Sequence, residues 1–137
     1  AAKRDLKKGR ISPAVERLIE CNILLSGVGF ESGGLALAHA IANGLTILPE
    51  CKAMHGEAVA FGLVVQLRLE RAPELDQVLE FCQRVGLPTT LEGLGLGEIS
   101  DADLQGVANA VFRNERNMAN EQTKVTRQKL VQLMCEA

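Results

Sequence analysis

Two almost uncharged segments in the middle of the chain restrict its fold more than any other feature. The residues from Leu35 to Leu48 and from Ala58 to Leu69 are apolar on nearly every side of a helical projection. A helix without a polar face is stable only when other elements surround it. The two segments therefore predict a pair of central helices inside a helical domain.

Other helices are predicted on both sides of this pair. In the first, Ser12 is the expected N-cap, Pro13 the first helical residue and Gly27 the end. Apolar residues three and four positions apart define further helices, which run up to Gly86 or follow Ser100. The predicted helices lie at residues 11–27, 35–48, 58–69, 73–86, 100–113 and 123–136. The fold class is therefore all-α, a bundle of about six helices in a single domain of residues 1–137.

Predicted core positions follow from the same spacing. The first helix is expected to bury one face, and the helix after Ser100 another. The expected core residues of these two faces are Val15, Leu18 and Ile19, and Leu104, Val107, Ala108 and Val111. Because 47% of the residues are hydrophobic and none is Tyr or Trp, we expect aliphatic packing throughout.

Composition excludes several classes of function. The formal net charge is -2, and the short basic segment from Lys3 to Arg10 fits a solvated helix end, so no nucleic-acid partner is expected. No apolar run reaches the length of a membrane span. The four cysteines are far apart and form no CxxC motif, which predicts reduced thiols in a cytoplasmic protein.

The glycine-rich segment "GVGFESGG" does not have the GxGxxG spacing of a dinucleotide-binding loop, and a helix rather than a strand precedes it. We interpret it as a joint between two helices, in which the glycines let backbones approach closely.

The two histidines of the chain are His39, predicted in the middle of one central helix, and His55, predicted at the start of the next. On residues alone, each fits a hydrogen-bonded structural histidine better than a metal ligand. Their place in one helical hairpin favours a shared ligand role, although a catalytic zinc usually takes three protein ligands. The candidates for a third ligand are Glu31, Glu50, Cys51 and Glu57.

The segment from Asn22 to Glu70 resembles the C-terminal helical domain of glycerol dehydrogenases, in the iron-containing or group III alcohol dehydrogenase family. The resemblance rests on "SGVGFESGGLA", "AHAI", "NGLT" and "HGEAVAFG". It implies an oxidoreductase that transfers a hydride between glycerol and NAD, with a divalent metal, typically zinc, holding the substrate oxygens. It also implies the helical fold that accompanies dehydroquinate synthase-like enzymes, and a homo-oligomer.

In this family an aspartate and two histidines hold the metal, and the histidines fall on His39 and His55. The resemblance further implies that Phe30 and Ser32 shape the substrate cleft. The aspartate and the N-terminal, Rossmann-like NAD-binding domain have no counterpart in residues 1–137. We therefore expect no dehydrogenase activity from this chain alone.

Two alternatives remain open. The first is a helical oligomerisation or interaction module of the same descent, favoured by Ala42 and Arg116, which stand where the family commonly has histidines. The second is an unrelated helical protein with a zinc site built on Cys51 and His55.

Overall fold

The protein is all-α, as predicted. The computed structural model describes all residues 1–137 and contains eight α-helices, one short 3-10 helix and no β-strand. The α-helices are α1 (Ala2–Lys7), α2 (Pro13–Gly33), α3 (Leu37–Leu45), α4 (His55–Glu70), α5 (Leu75–Val85), α6 (Asp101–Arg113), α7 (Glu115–Met118) and α8 (Arg127–Glu136). The six predicted helices are all present, and α1, α7 and the 3-10 helix at Glu92–Leu94 are additional.

The chain divides into two compact units, Ala1–Gly34 and Leu35–Ala137. In the first unit, the buried carboxylate of Asp5 accepts hydrogen bonds from the Arg10 guanidinium at 2.8 Å and the Ser12 hydroxyl at 2.9 Å. These bonds hold the turn between α1 and α2. Ser12 is the N-cap residue of α2 and Pro13 its first residue, as predicted, but the Ser12 side chain donates to Asp5 instead of accepting a helix amide.

In the second unit, α3 packs between α4 and α6. Helix α8 contacts both α4 and α6, while α5 lies against α4 and α7 against α3. The largest fully buried side chains are Leu37, Ile41, Leu45, Phe61, Val64, Val65, Val107, Val111, Leu130 and Met134. Both segments predicted to be central therefore lie in the core, and the four predicted core residues of α6 are all buried.

Two glycines let α3 pack closely against α6 and α4. A Cβ atom on Gly44 would lie 2.9 Å from Val111 Cγ2 of α6, and a Cβ atom on Gly62 would overlap the carbonyl oxygen of Ala38 in α3. Only glycine fits these two contacts without a shift of the neighbouring helix.

The predicted end of α2 at Gly27 is wrong, because the helix continues to Gly33 and ends at Gly34 with φ 68°. A glycine inside a helix costs about 1 kcal/mol relative to alanine, which weakens a helix without stopping it. The segment predicted as a close-packed joint is therefore mostly helical, and a Cβ atom on Gly27 or Gly29 would meet nothing within 4 Å.

The predicted core face of α2 is also mostly wrong. Val15 is buried, but Leu18 and Ile19 are exposed, as is every other residue from Glu16 to Gly33. The apolar spacing identifies a helix correctly, but it does not predict whether that helix is buried.

Helix ends agree better with the sequence where a cap residue is present. The Ser100 hydroxyl accepts a hydrogen bond from the Asp103 amide at 3.1 Å at the start of α6, and Gly86 ends α5 with φ 83°. Helix α8 starts at Arg127, later than predicted, because Thr126 caps it through the Lys129 amide.

No single helix is long and apolar enough to span a bilayer, and only α2 and α3 taken together reach that length and composition.

Candidate metal centre

The structure brings the two histidines together. His39 is in the first turn of α3 and His55 is the first residue of α4, and their ring centroids are 5.7 Å apart with the planes inclined by 50°. His39 is half-buried and His55 is exposed. The prediction placed His39 in the middle of its helix; it lies near the start instead, because α3 begins at Leu37.

The start of α4 fixes the position of His55. The Met54 amide donates a hydrogen bond to the Glu57 carboxylate at 2.8 Å, so the carboxylate closes the first turn around His55. This arrangement is a common way to satisfy an amide at a helix N-terminus. Glu57, one of the candidate third ligands, is thereby engaged in holding the helix.

The start of α3 is held by contacts that the sequence analysis missed. The Ala38 amide donates to the Gln66 side-chain oxygen at 2.9 Å, and the Asn120 side-chain amide donates to the Leu35 carbonyl at 2.8 Å. The only available signal is the polar Gln66 within an otherwise apolar stretch of α4. Both contacts lie within four residues of His39.

The histidine pair fits a shared metal ion. With zinc–nitrogen distances of about 2.0–2.1 Å and tetrahedral angles, two imidazoles on one ion have ring centroids roughly 5 Å apart, close to the 5.7 Å observed. Partial burial, and to a smaller extent the charge of His55, lowers the pKa of His39 below its ordinary value of 6.5. Lowering this pKa favours the neutral imidazole, which is the form that binds metal.

No third ligand joins the pair within this chain. No group of three histidine, cysteine, aspartate or glutamate side chains is close enough together to hold a metal ion. Cys51 is partly buried and lines a small cavity together with His55, while Glu50 is exposed and Glu31 lies in α2. Within this chain the candidate metal centre therefore consists of the two histidines alone.

The two residues predicted to shape a substrate cleft both lie in α2. Phe30 is 47% exposed and Ser32 is exposed, and both belong to the first compact unit. Their role in a cleft stays a prediction. Of the two substitutions noted in the sequence, Ala42 is buried in α3 and Arg116 is exposed in α7.

No protein-family model matches the chain. Among proteins of known function, it is 48% identical over 128 residues to the glycerol dehydrogenase of Thermotoga maritima and 46% identical over 128 residues to that of Citrobacter freundii. Each alignment covers 91% of this chain and 35% of the relative, so the chain spans about a third of the length of these relatives.

A solved structure gives the same result for the fold. The crystal structure of a probable glycerol dehydrogenase from Sinorhizobium meliloti matches with a TM-score of 0.90 and 39% sequence identity. The match covers 97% of this chain and 38% of the other chain. In both sequence and fold, the chain therefore corresponds to a helical part of the glycerol dehydrogenases.

Proposed function

We propose that this chain is the metal- and substrate-binding part of an NAD-dependent glycerol dehydrogenase, which oxidises glycerol to dihydroxyacetone. The observation that carries the proposal is the approach of His39 and His55 to a ring-centroid distance of 5.7 Å. The similarity to glycerol dehydrogenases along 91% of the chain supports the choice of reaction. We expect the complete enzyme to be cytoplasmic and homo-oligomeric.

In this proposal His39 and His55 supply two ligands to a divalent metal, for which zinc is the first choice. A bound zinc ion would act as a Lewis acid on the alcohol oxygen. Partial burial lowers the pKa of His39, which favours its neutral form, and both histidines lie in the first turns of helices that are consecutive in the chain. The third ligand and the NAD-binding residues would come from the part of the relatives that this chain does not span.

Zinc titration by calorimetry tests the metal half-site. The unmodified chain is expected to bind zinc weakly at neutral pH, and His39→Ala and His55→Ala should each abolish binding. Cys51→Ser serves as the control, because Cys51 lines the same small cavity as His55 and its loss should leave binding unchanged. Binding that depends on Cys51 but not on His39 would contradict the proposal.

Complementation tests the reaction. The chain alone is expected to be inactive with glycerol and NAD. Mixing it with the N-terminal part of the Thermotoga maritima glycerol dehydrogenase should restore glycerol-dependent NADH formation. Activity from the chain alone would show that the missing part is not needed.

A second candidate function is a helical interaction module without catalysis. The exposed apolar side chains of α2, including Ile23 at 71% and Leu25 at 68%, favour this alternative because soluble proteins seldom leave such a surface uncovered. A chain that self-associates but does not bind zinc would support this module over the dehydrogenase.

A further inference from the structure

One face of α4 carries its contacts with the start of α3. Gly62 and Gln66 follow His55 by close to two and three whole helical turns, so the three residues lie on one stripe of the helix. This stripe faces the start of α3. The His55 ring lies near the His39 ring, while Gly62 and Gln66 both contact Ala38.

Gln66 provides the polar contact of this stripe. Its side-chain oxygen accepts the Ala38 amide at 2.9 Å, and its side-chain nitrogen donates to the Glu70 carboxylate at 2.8 Å. The bond to Glu70 fixes which end of the Gln66 amide group faces α3. The Ala38 amide is one of the first amides of α3, which have no acceptor within their own helix. Gln66 of α4 therefore supplies the hydrogen-bond acceptor that the Ala38 amide lacks within α3.

Gly62 provides the steric contact. Because a Cβ atom at this position would overlap the Ala38 carbonyl oxygen and lie 3.0 Å from its carbonyl carbon, the two backbones touch directly. The overlapping group is backbone and cannot turn away as a flexible side chain can. Gly62 thus sets how closely α3 and α4 can approach each other at Ala38, the residue before His39.

We propose that Gln66 is a positioning residue for the metal half-site, and that Gly62 is the spacer that lets it act. Together they hold Ala38 against α4, so that His39, the next residue, faces His55 at the distance a shared metal requires. This inference rests on the proposed function, because it assigns the contacts to the alignment of the two metal-binding imidazoles. The bond from Asn120 to Leu35 holds the chain just before α3.

The test uses the 137-residue chain and the variant Gln66→Met, which keeps the side-chain length but removes the acceptor. Two measurements are made on each protein: the nuclear Overhauser contact between the His39 and His55 rings, and zinc affinity by calorimetry. We expect Gln66→Met to weaken the ring contact and to lower zinc affinity about 10- to 100-fold, the usual effect of losing a residue that orients a metal ligand.

Two matched variants separate positioning from general stability. The double variant Gln66→Glu with Glu70→Gln preserves both hydrogen bonds with donor and acceptor exchanged between the two side chains, so it should restore zinc affinity. Thr126→Ala removes the same kind of side-chain bond at the start of α8, where the Thr126 hydroxyl accepts the Lys129 amide. It should leave zinc affinity unchanged.

The glycine contact has its own pair of variants. Gly62→Ala should lower zinc affinity, whereas Gly56→Ala, on the same helix with nothing within 4 Å of its added Cβ atom, should not. If Gly62→Ala does not fold, the measurements on Gln66→Met alone test the positioning role.

The positioning role is overturned if Gln66→Met keeps both the ring contact and the zinc affinity of the unmodified chain, or if the double variant does not restore what Gln66→Met loses. A chain that binds no zinc, but whose ring contact still depends on Gln66, overturns the proposed function while supporting the positioning role.

Discussion

Helices α2 and α4 are both long, largely apolar and interrupted by glycines, yet their surroundings differ completely. Phe61 of α4 is fully buried, whereas Phe30 of α2 is 47% exposed. From Cys21 to Phe30, α2 carries no charged residue, so it has no face suited to water. The difference shows that apolar patterning identifies a helix that needs cover, while the position of the covering elements decides whether the helix is buried.

The largest expected difference between the two helices is in stability. Phe61→Ala should lower the free energy of unfolding by about 3–5 kcal/mol, because it leaves a cavity in a closed core. Phe30→Ala should change it by less than about 0.5 kcal/mol, the usual range for exposed positions. Urea unfolding followed by circular dichroism measures both changes. Equal losses in the two variants would mean that Phe30 is covered in solution.

The second expected difference between the two helices is in self-association, which the exposed α2 should promote. The side chain of Ile23 is 71% exposed, and covering it is worth about 1.5–3 kcal/mol. Ile23→Lys should therefore weaken self-association about 10- to 100-fold, as measured by sedimentation velocity. Asn22→Lys is the control, because it adds the same charge to the neighbouring position without removing an apolar side chain. Equal weakening by both variants would assign the effect to charge alone.

The glycines of the two regions should respond in opposite directions to alanine. Gly27→Ala is expected to stabilise α2 by about 0.5–1 kcal/mol, since the added methyl group meets no neighbour and a glycine is lost from a helix. Gly44→Ala is expected to destabilise the second unit by about 1–3 kcal/mol, because the methyl group would press on Val111. Thermal unfolding of both variants checks the signs, and a stabilising Gly44→Ala would show that α3 and α6 can separate without loss.

The same contrast explains how much of the fold the sequence predicted. All six helices were recognisable, four from apolar residues at helical spacing and the two central ones from their nearly uninterrupted apolar runs, and the core face of α6 was correct in every position. The exposed face of α2 was not predictable, because apolar spacing contains no information about whether a covering element is present. The end of α2 was missed for a different reason: Gly34, with its positive φ, resembles the helical Gly27 and Gly29 in sequence.

The sequence identified the two histidines that the structure brings together, but not the contacts that hold the start of α3 beside them. His39 and His55 lie near the starts of two helices that follow each other in the chain and pack together, which brings their rings close. The contacts of Gln66 with Ala38 and of Asn120 with Leu35 join residues 28 and 85 positions apart. Such pairs depend on how whole helices pack, and the sequence marks only one member, the polar Gln66 in an apolar stretch of α4.

The smallest predicted effect concerns two cysteines. Cys82 of α5 is buried and Cys21 of α2 is exposed, and neither forms a disulfide. Burial raises the pKa of the Cys82 thiol above its ordinary value of 9.0. Above that pH an unfolded Cys82 loses a proton that the folded protein retains, so its contribution to stability is complete below pH 9.0 and is lost as the pH rises through the folded pKa.

Urea unfolding of the unmodified chain and of Cys82→Val, at pH values from about 7 to about 9.5, measures this contribution before lysine side chains begin to titrate. The unmodified chain should lose stability over this range more steeply than Cys82→Val, whose side chain has similar volume and no proton to lose. Cys21→Val should behave like the unmodified chain, because Cys21 stays in water in both states. Equal slopes for the unmodified chain and Cys82→Val would mean that solvent reaches Cys82, and that the second unit is less closed around α5 than its burial indicates.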